Sequence, residues 1–379
     1  MISYNKIYKS HKEEEYILDC LARRQISGDG YYTKLVEELL EKRFDLNKVF
    51  MTTSATHALE MAMLLIDLKP DDEVVMPSFT FSSTANAVLL RGAKPVFAEI
   101  DTKTLNLDPQ AVYNCITDKT KAIVPVHYAG IGCDMDQIMD IANKYKLYII
   151  EDAAQAVNAK FEGKYLGGIG HMGCYSFHST KNFTSGEGGA LVVNTQDERV
   201  IERADCIRQK GTDRSKFLRG EVINYSWVDT GSSYSPSDLL MAMLYSQLQD
   251  MDYITMKRKR VHEFYSNLLQ KYVDQEIIKI TQIPTGFESN YHIFYILFND
   301  SQTRDYAMEK LHQKGVSAFT HFEPLHSSSM GRSLGYKSED LPITLKVSQC
   351  ILRLPIYPEL TEAEMEFIAE CLVDILEGL

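Results

Sequence analysis

The chain of 379 residues has a single tryptophan, few cysteines and no long apolar run, and each scarcity removes a class of protein. No stretch of about 18 apolar residues is present to cross a bilayer. The seven cysteines (Cys20, Cys115, Cys133, Cys174, Cys206, Cys350 and Cys371) are odd in number and scattered. With no CxxC pair among them, neither a disulfide framework nor a zinc site is expected, and no metal is predicted. Excess positive charge is missing too. Forty Lys and Arg against 52 Asp and Glu leave a formal net charge of -12, which argues against a nucleic-acid partner, because phosphate backbones demand a broad basic face. The first fifteen residues are polar and carry Lys6, Lys9 and Lys12 with no apolar segment behind them, so no signal peptide is expected. These absences predict a reduced, cytoplasmic protein with no membrane partner.

What is present is an ordinary globular composition, 45% hydrophobic, in a chain too long for one core. Short apolar runs at Val49–Met51, Glu73–Met76, Pro95–Ile100, Ala122–Val126, Tyr148–Glu151, Cys174–Phe177 and Ala190–Val193 alternate with helical patterns. That is how an α/β protein with a mostly parallel sheet, covered on both faces, is written. A helix is predicted over Leu239–Leu269, a strand over Tyr291–Phe298, and helices over Ser301–Lys314 and Glu362–Glu377. The division expected is a large domain over 1–245 and a small α+β domain over 246–379.

Three segments carry chemistry. Thr52-Thr53-Ser54-Ala55-Thr56 is a small polar turn between a strand and a helix, suited to cradling an anion on exposed N–H groups; Ser and Thr also cap helices with no ligand present. Glu151-Asp152-Ala153-Ala154-Gln155 ends an apolar strand in two carboxylates. Asp152 suits either a buried cationic partner, such as a pyridinium nitrogen, or the cap of a following helix, on whose face Gln155 would lie three residues on. Ser176-Phe177-His178-Ser179-Thr180-Lys181 runs from a strand into a loop and is followed by Gly186-Glu187-Gly188-Gly189, which lets the backbone turn back. An imine-forming lysine needs a desolvated site or a nearby cation, whereas most lysines are solvated surface charges.

In this order the segments closely resemble the DegT/DnrJ-type sugar-nucleotide aminotransferases from end to end, and most of all their branch of dTDP-4-amino-4,6-dideoxygalactose transaminases of surface-polysaccharide synthesis. The resemblance implies the pyridoxal-phosphate (PLP) transferase fold of the aspartate aminotransferase type, fold type I. It also implies pyridoxamine phosphate as the alternate cofactor form, L-glutamate as amino donor and a homodimer with shared active sites. Carried over by residue, it makes Lys181 the Schiff-base lysine and proton shuttle, Asp152 the partner of the ring nitrogen, and Gln155 a donor to the phenolic oxygen. Phe81 matches the aromatic stacked on the ring, although a strand-end Phe is more often plain core. Ala55, Thr56 and Ser176 match the phosphate cradle. Where the family usually reads Gly-Tyr-Asn-Tyr-Arg, this chain reads Gly231-Ser232-Ser233-Tyr234-Ser235. Ser233 stands at the position that crosses to the neighbouring subunit's phosphate, and the family's arginine is absent. The dTDP-fucosamine-type branch resembles this chain there.

The substrate implied is a nucleotide-linked keto sugar, foremost dTDP-4-keto-6-deoxy-D-glucose. A 3-keto isomer, a different configuration at the aminated carbon, and a PLP-bound regulatory protein stand as alternatives. A related deoxygenating branch has histidine for the lysine, so Lys181 favours amination. The sugar's diphosphate calls for local cations, and Arg208–Gly220, with Lys210, Arg214 and Arg219, is the densest basic stretch, open also to reading as a solvated charge run. Gly28 and Asp29 resemble the family's loop at the substrate mouth, with turn chemistry that also suits a plain connector. His321 and His326 resemble its sugar-facing segment. For His127 and His178 a structural hydrogen bond is as good a reading as catalysis.

Overall fold

The computed structural model describes residues 1–378. Its strands are β1 (Lys48–Thr52), β2 (Glu73–Pro77), β3 (Lys94–Ala98), β4 (Thr120–Ile123), β5 (Tyr148–Asp152), β6 (Lys160–Phe161), β7 (Lys164–Tyr165), β8 (Met172–Ser176), β9 (Gly189–Val193), β10 (Ile278–Ile280), β11 (Phe287–Glu288), β12 (Phe294–Phe298) and β13 (Ile351–Leu354). Seven of them form one sheet in the order β1-β9-β8-β5-β4-β2-β3. β9 alone runs antiparallel to its neighbours β1 and β8; the other pairings are parallel.

Alternation along the strands divides the buried side chains between two faces. Val49, Met51, Val75, Ile149 and Val192 meet α2 (Tyr31–Phe44), α6 (Met135–Tyr145) and α9 (Asp238–Gln249) through Val36, Leu40, Ile138 and Leu244. Phe50, Val74, Met76, Ile150 and Leu191 meet α3 (Ala55–Leu65) and α7 (Glu198–Arg208) through Leu59, Met63 and Ile207. Helix α1 (Glu13–Arg23) lies beside α9, while α4 (Ser82–Leu89) and α5 (Pro109–Cys115) pack along β3, and α8 (Arg214–Leu218) follows α7.

A third core gathers the antiparallel sheet β10-β12-β13, α10 (Met251–Asp274), α11 (Ser301–Gln313) and α14 (Glu362–Leu376) around Tyr265, Phe294, Leu352 and Leu372. α12 (Ser329–Ser333) and α13 (Pro342–Cys350) complete the helices. α14 starts on a reciprocal cap between Thr361 and Glu364, worth about 1 kcal/mol. β11 pairs with the small hairpin β6–β7 and so ties this part to the main sheet's periphery.

The helix expected over Leu239–Leu269 is two helices. The chain breaks at Asp250, whose carboxylate accepts hydrogen bonds from Ser10 Oγ (2.7 Å) and Tyr8 OH (3.3 Å), anchoring the N-terminal segment at the break. Residue 245 lies inside α9, and packing passes from the first core to the third along α10, between Ile254 and Val261. Ile2 packs in the third core and bridges to Val316. The strand expected from Tyr291 starts only at Phe294, because Tyr291 has φ +55°. No described helix is long and apolar enough to cross a membrane.

Candidate active site

The parallel strands all end at one edge of the sheet, the place where open α/β folds collect ligands. There they deliver the turn after β1, the Ser78–Phe81 segment after β2, Asp152 at the tip of β5 and Ser176 at the tip of β8, while antiparallel β9 begins at the same edge with Gly189. These residues floor a cavity of about 750 Å³ whose far wall comes from the third core. Ala55, Thr56, Phe81, Asp152, Gln155, Ser176, Lys181 and His321 all line it.

On one side, Ser54 caps α3 by accepting from His57 N (3.2 Å), and Ala55 and Thr56 open that helix toward the cavity. Thr56 Oγ1 lies 2.8 Å from Ser83 Oγ. A β-carbon on Gly189 would fall on the backbone of Ser54 and Ala55, so glycine is what allows β9 to pass beneath the turn. With Ser176 opposite, this is a helix N-terminus rimmed by hydroxyls, suited to a phosphate.

Asp152 is 5% exposed. It accepts from Thr84 Oγ1 (2.8 Å) and Ala154 N (3.2 Å), and burial, its largest influence, pushes its carboxyl above the ordinary aspartate range. Both partners are neutral, and no cation stands within ion-pair distance of it among the described residues. No helix follows it; Ala153–Asn158 is a series of turns, which removes the capping alternative and the helical face expected for Gln155. Gln155 reaches the cavity anyway. Its Oε1 accepts from Ala129 N (2.8 Å), which turns its NH2 toward the open space.

Lys181 stands on the loop between β8 and β9, held by its own N–H to His178 O (2.9 Å) and by Ser179 N to Gly186 O (2.9 Å); Gly186 makes the turn with φ +82°. Burial and the nearby Arg353 push its amine down to about 8, against the opposing pull of Asp152. A substantial fraction of it is therefore neutral near physiological pH, as a lysine that attacks or shuttles protons requires. Phe81 is 63% exposed, an open aromatic face at the cavity wall.

These features fit pyridoxal phosphate. A buried carboxylate lacking a cation suits the protonated ring nitrogen, the free amide suits a phenolic oxygen, the open aromatic suits a planar ring, and the hydroxyl-rimmed helix start suits the phosphate.

Other predicted residues lie elsewhere. His326 is fully buried outside the cavity, with Nδ1 2.7 Å from Ser78 Oγ and Nε2 3.2 Å from Ser338 O, so it staples Pro324–Ser328 to the end of β2 instead of facing a sugar. Gly28 and Asp29 pack against the chain itself: a β-carbon at Gly28 would crowd Ser235, and Asp29 pairs with Arg208 at 2.7 Å. Arg208, the first cation of the basic stretch, is buried among Asp29, Glu37 (2.9 Å) and Asp205 (3.2 Å). Lys210, Arg214, Arg219 and Ser233 are exposed and away from this chain's cavity; Arg219 is spent on Glu221. His127 is a structural group. Its Nε2 meets Glu151 at 2.9 Å, and the same carboxylate accepts from Gly167 N (2.7 Å), Ile169 N (2.7 Å) and Gly170 N (2.6 Å).

The sequence reading missed the far wall: Tyr4, Asn5, Arg258, His292, Phe322 and Arg353. One signal was available, an arginine inside the apolar run Ile351–Leu354. His321, which was expected, accepts from or donates to Tyr128 OH at 3.0 Å and is pushed down to about 2 by burial, Arg353 and Lys181, so its imidazole is neutral.

Comparison with known proteins gives this geometry its context. The family model of the DegT/DnrJ/EryC1/StrS aminotransferases matches residues 8–373. The spore coat polysaccharide biosynthesis protein SpsC of Bacillus subtilis is 32% identical over 339 residues, 86% of this chain and 84% of that one. GDP-perosamine synthase of Caulobacter vibrioides is 30% identical over 369 residues, 96% and 95% of the two chains. In fold, the PLP form of the sugar aminotransferase Spr1654 of Streptococcus pneumoniae superposes with a TM-score of 0.92 at 23% identity, covering 100% of this chain and 99% of that one. The chain therefore belongs to the DegT/DnrJ/EryC1/StrS aminotransferase family and is a PLP-dependent sugar aminotransferase of fold type I.

Proposed function

We propose that the enzyme transfers the amino group of L-glutamate to a nucleotide-linked 4-keto-6-deoxyhexose, foremost dTDP-4-keto-6-deoxy-D-glucose, giving dTDP-4-amino-4,6-dideoxy-D-galactose and 2-oxoglutarate for a surface polysaccharide. The observation that carries the transamination is the pairing, across one cavity, of the lowered amine of Lys181 with the uncompensated carboxylate of Asp152. Choice of the sugar rests on the Gly231–Ser235 segment, which resembles the dTDP-fucosamine-type branch, and on similarity to a perosamine synthase and a polysaccharide biosynthesis protein.

Bound in the cavity, pyridoxal phosphate supplies a carbonyl that takes up an amino group and a conjugated ring that stores the electron pair left by a departing proton. The chain's residues do the rest. The N–H groups at Ala55 and Thr56 and the hydroxyl of Ser176 would hold the phosphate. Asp152 would answer a protonated ring nitrogen, Gln155 would offer its NH2 to the phenolic oxygen, and Phe81 would offer its open face to the ring. Lys181 Nζ, once free, takes the proton from the donor's α-carbon and later returns one to the sugar carbon that receives nitrogen. His321, neutral and fixed by Tyr128, offers a ring nitrogen to a sugar oxygen.

The functional unit in this reading is a homodimer with shared sites. Residues 214–228 project Leu218, Ile223, Trp227 and Val228 into solvent, with Trp227 80% exposed, an apolar display that a second copy would cover. Through it, Lys210, Arg214 and Ser233 serve the neighbouring subunit's phosphates. The purified enzyme is to be incubated with glutamate and a panel of dTDP-, UDP- and GDP-linked keto sugars, with the product identified by NMR. An axial amine at C4 of the dTDP product is expected. Turnover of only a 3-keto or GDP-linked sugar would overturn the assignment of the sugar.

A further inference from the structure

Next to Lys181, a run of buried amides ends on a histidine that the proposed chemistry does not use. Asn182, the following residue, gives its Nδ2 to Asn290 O (2.8 Å), and its Oδ1 lies 2.8 Å from His292 Nδ1. Asn290 in turn gives Nδ2 to the carbonyls of Gln155 (2.9 Å) and Val157 (2.8 Å), and its Oδ1 accepts from His292 N (3.1 Å). Asn182, Asn290 and His292 are all buried. A backbone carbonyl only accepts, so the amide nitrogen of Asn182 faces Asn290 and its oxygen faces the imidazole. His292 Nδ1 therefore carries the hydrogen. Burial, and then the neighbouring Lys181, Arg258, His321 and Arg353, push His292 well below the ordinary histidine range. The ring is thus neutral, and its Nε2 is a bare acceptor that makes no hydrogen bond among the described residues.

A second cavity, of about 10 Å³, shares Gln155, Ser176, Lys181 and His292 with the main one and adds Asn182 and Asn290. A space of that size holds about one water, so Lys181 and His292 stand no more than a water apart across it, and the polar lining gives that water partners. We infer that His292 is a positioning residue for Lys181, its Nε2 accepting a hydrogen bond from one water in this small cavity, which in turn accepts from Lys181 Nζ. The inference rests on Lys181 as the shuttling amine of the proposed function. Such an amine needs a fixed place when free and a partner for the proton it holds between taking and returning it. A ring that stays neutral meets both needs: it orders Nζ through the water and, being harder to protonate than the lysine, leaves the proton there. Among the charged groups facing Lys181, Asp152 favours the ammonium and Arg353 opposes it; the water and His292 add an uncharged support.

The test is the pH midpoint for acylation of Lys181 in the apoprotein, with two variants that each keep half of the imidazole's bonding. His292→Asn retains a donor to Asn182 and removes the acceptor, whereas His292→Gln keeps an acceptor near the place of Nε2. Without the acceptor the ammonium is less favoured, so the midpoint of His292→Asn is expected about one pH unit below that of wild type. His292→Gln is expected to recover most of that shift. A purely structural histidine would change melting and leave the midpoint in place, so an unchanged midpoint in His292→Asn overturns the inference. An equal shift in both variants overturns it too, by assigning the effect to lost packing. A crystal structure of the wild-type apoprotein tests the same point with no variant to fold. A water bonded to both Lys181 Nζ and His292 Nε2 is expected; a dry cavity, or a ring turned to offer Nε2 to Asn182, overturns the proposal. Neither measurement involves a sugar, so failure of the proposed substrate leaves this inference standing, whereas a cofactor attached at another lysine would overturn the reading it rests on.

Discussion

Replacing Asp152 with asparagine separates what the residue does for the fold from what it does for the cofactor. In the cofactor-free protein Asp152 is a buried carboxylate whose hydrogen bonds from Thr84 and Ala154 do not repay its desolvation, which is why its carboxyl lies above the ordinary aspartate range. A raised carboxyl favours folding only while protonated: its contribution is present at pH below the unfolded value of about 4 and is lost as pH rises through the folded value. At neutral pH the apoprotein thus bears a cost that the neutral amide of Asp152→Asn avoids, of about 1–3 kcal/mol for an imperfectly satisfied buried polar group. The apo variant should melt higher than apo wild type at pH 7.5, with the gap closing toward pH 4.5. With cofactor the sign reverses. The variant loses the anion that answers the ring nitrogen, and breaking a buried pair at about 3–5 kcal/mol slows turnover by about 10²- to 10⁴-fold. Calorimetric melts of both forms across that pH range, with initial rates, read all of this. An apo variant less stable than wild type at pH 7.5, or a loaded one turning over normally, would rule out this role for Asp152.

Three further outcomes follow from the same geometry. Reaction of Lys181 with a small acylating reagent in the apoprotein should be half-maximal near pH 8, read by peptide mass spectrometry, because only the neutral amine reacts; a midpoint near 10.5 would place it among ordinary surface lysines. Glu151→Ala should cost about 3–5 kcal/mol in a urea melt by stranding the N–H groups of Gly167, Ile169 and Gly170 and the ring of His127; a loss below about 1 kcal/mol would contradict the view that this carboxylate pins the loop under β5. Trp227 is the only tryptophan, so its emission reports the proposed dimer directly: a blue-shifted maximum that moves red on dilution is expected, and a water-like maximum at every concentration would reject coverage by a second copy.

The strand tips were legible in sequence because a buried parallel sheet writes itself as short apolar runs, and each chemistry-bearing turn follows its own run: Thr52–Thr56 after β1, Asp152 at the end of β5, Ser176 to Lys181 after β8. Local periodicity also located α11 and α14. The break at Asp250 was not legible, since residues on both sides keep a helical pattern and the reason for the break, contacts from Ser10 and Tyr8, lies some 240 positions away in the chain. The far wall was hidden for the same reason: Tyr4, Arg258 and Arg353 come from three separated segments and meet only when β13, α10 and the N-terminal segment pack together. His326 shows the converse. Its sequence neighbourhood matched a sugar-facing segment, yet its ring is turned into the protein by Ser78 and Ser338.

Lys181 is the residue that carries the cofactor in this reading, and borohydride reduction of the purified enzyme followed by peptide mapping reads it out. A reduced phosphopyridoxyl group is expected on Lys181 alone, and it should be lost when glutamate is added before the reductant. A label on any other lysine would move the cofactor's attachment away from Lys181, and one that persists after glutamate would rule out transfer of the donor's amine.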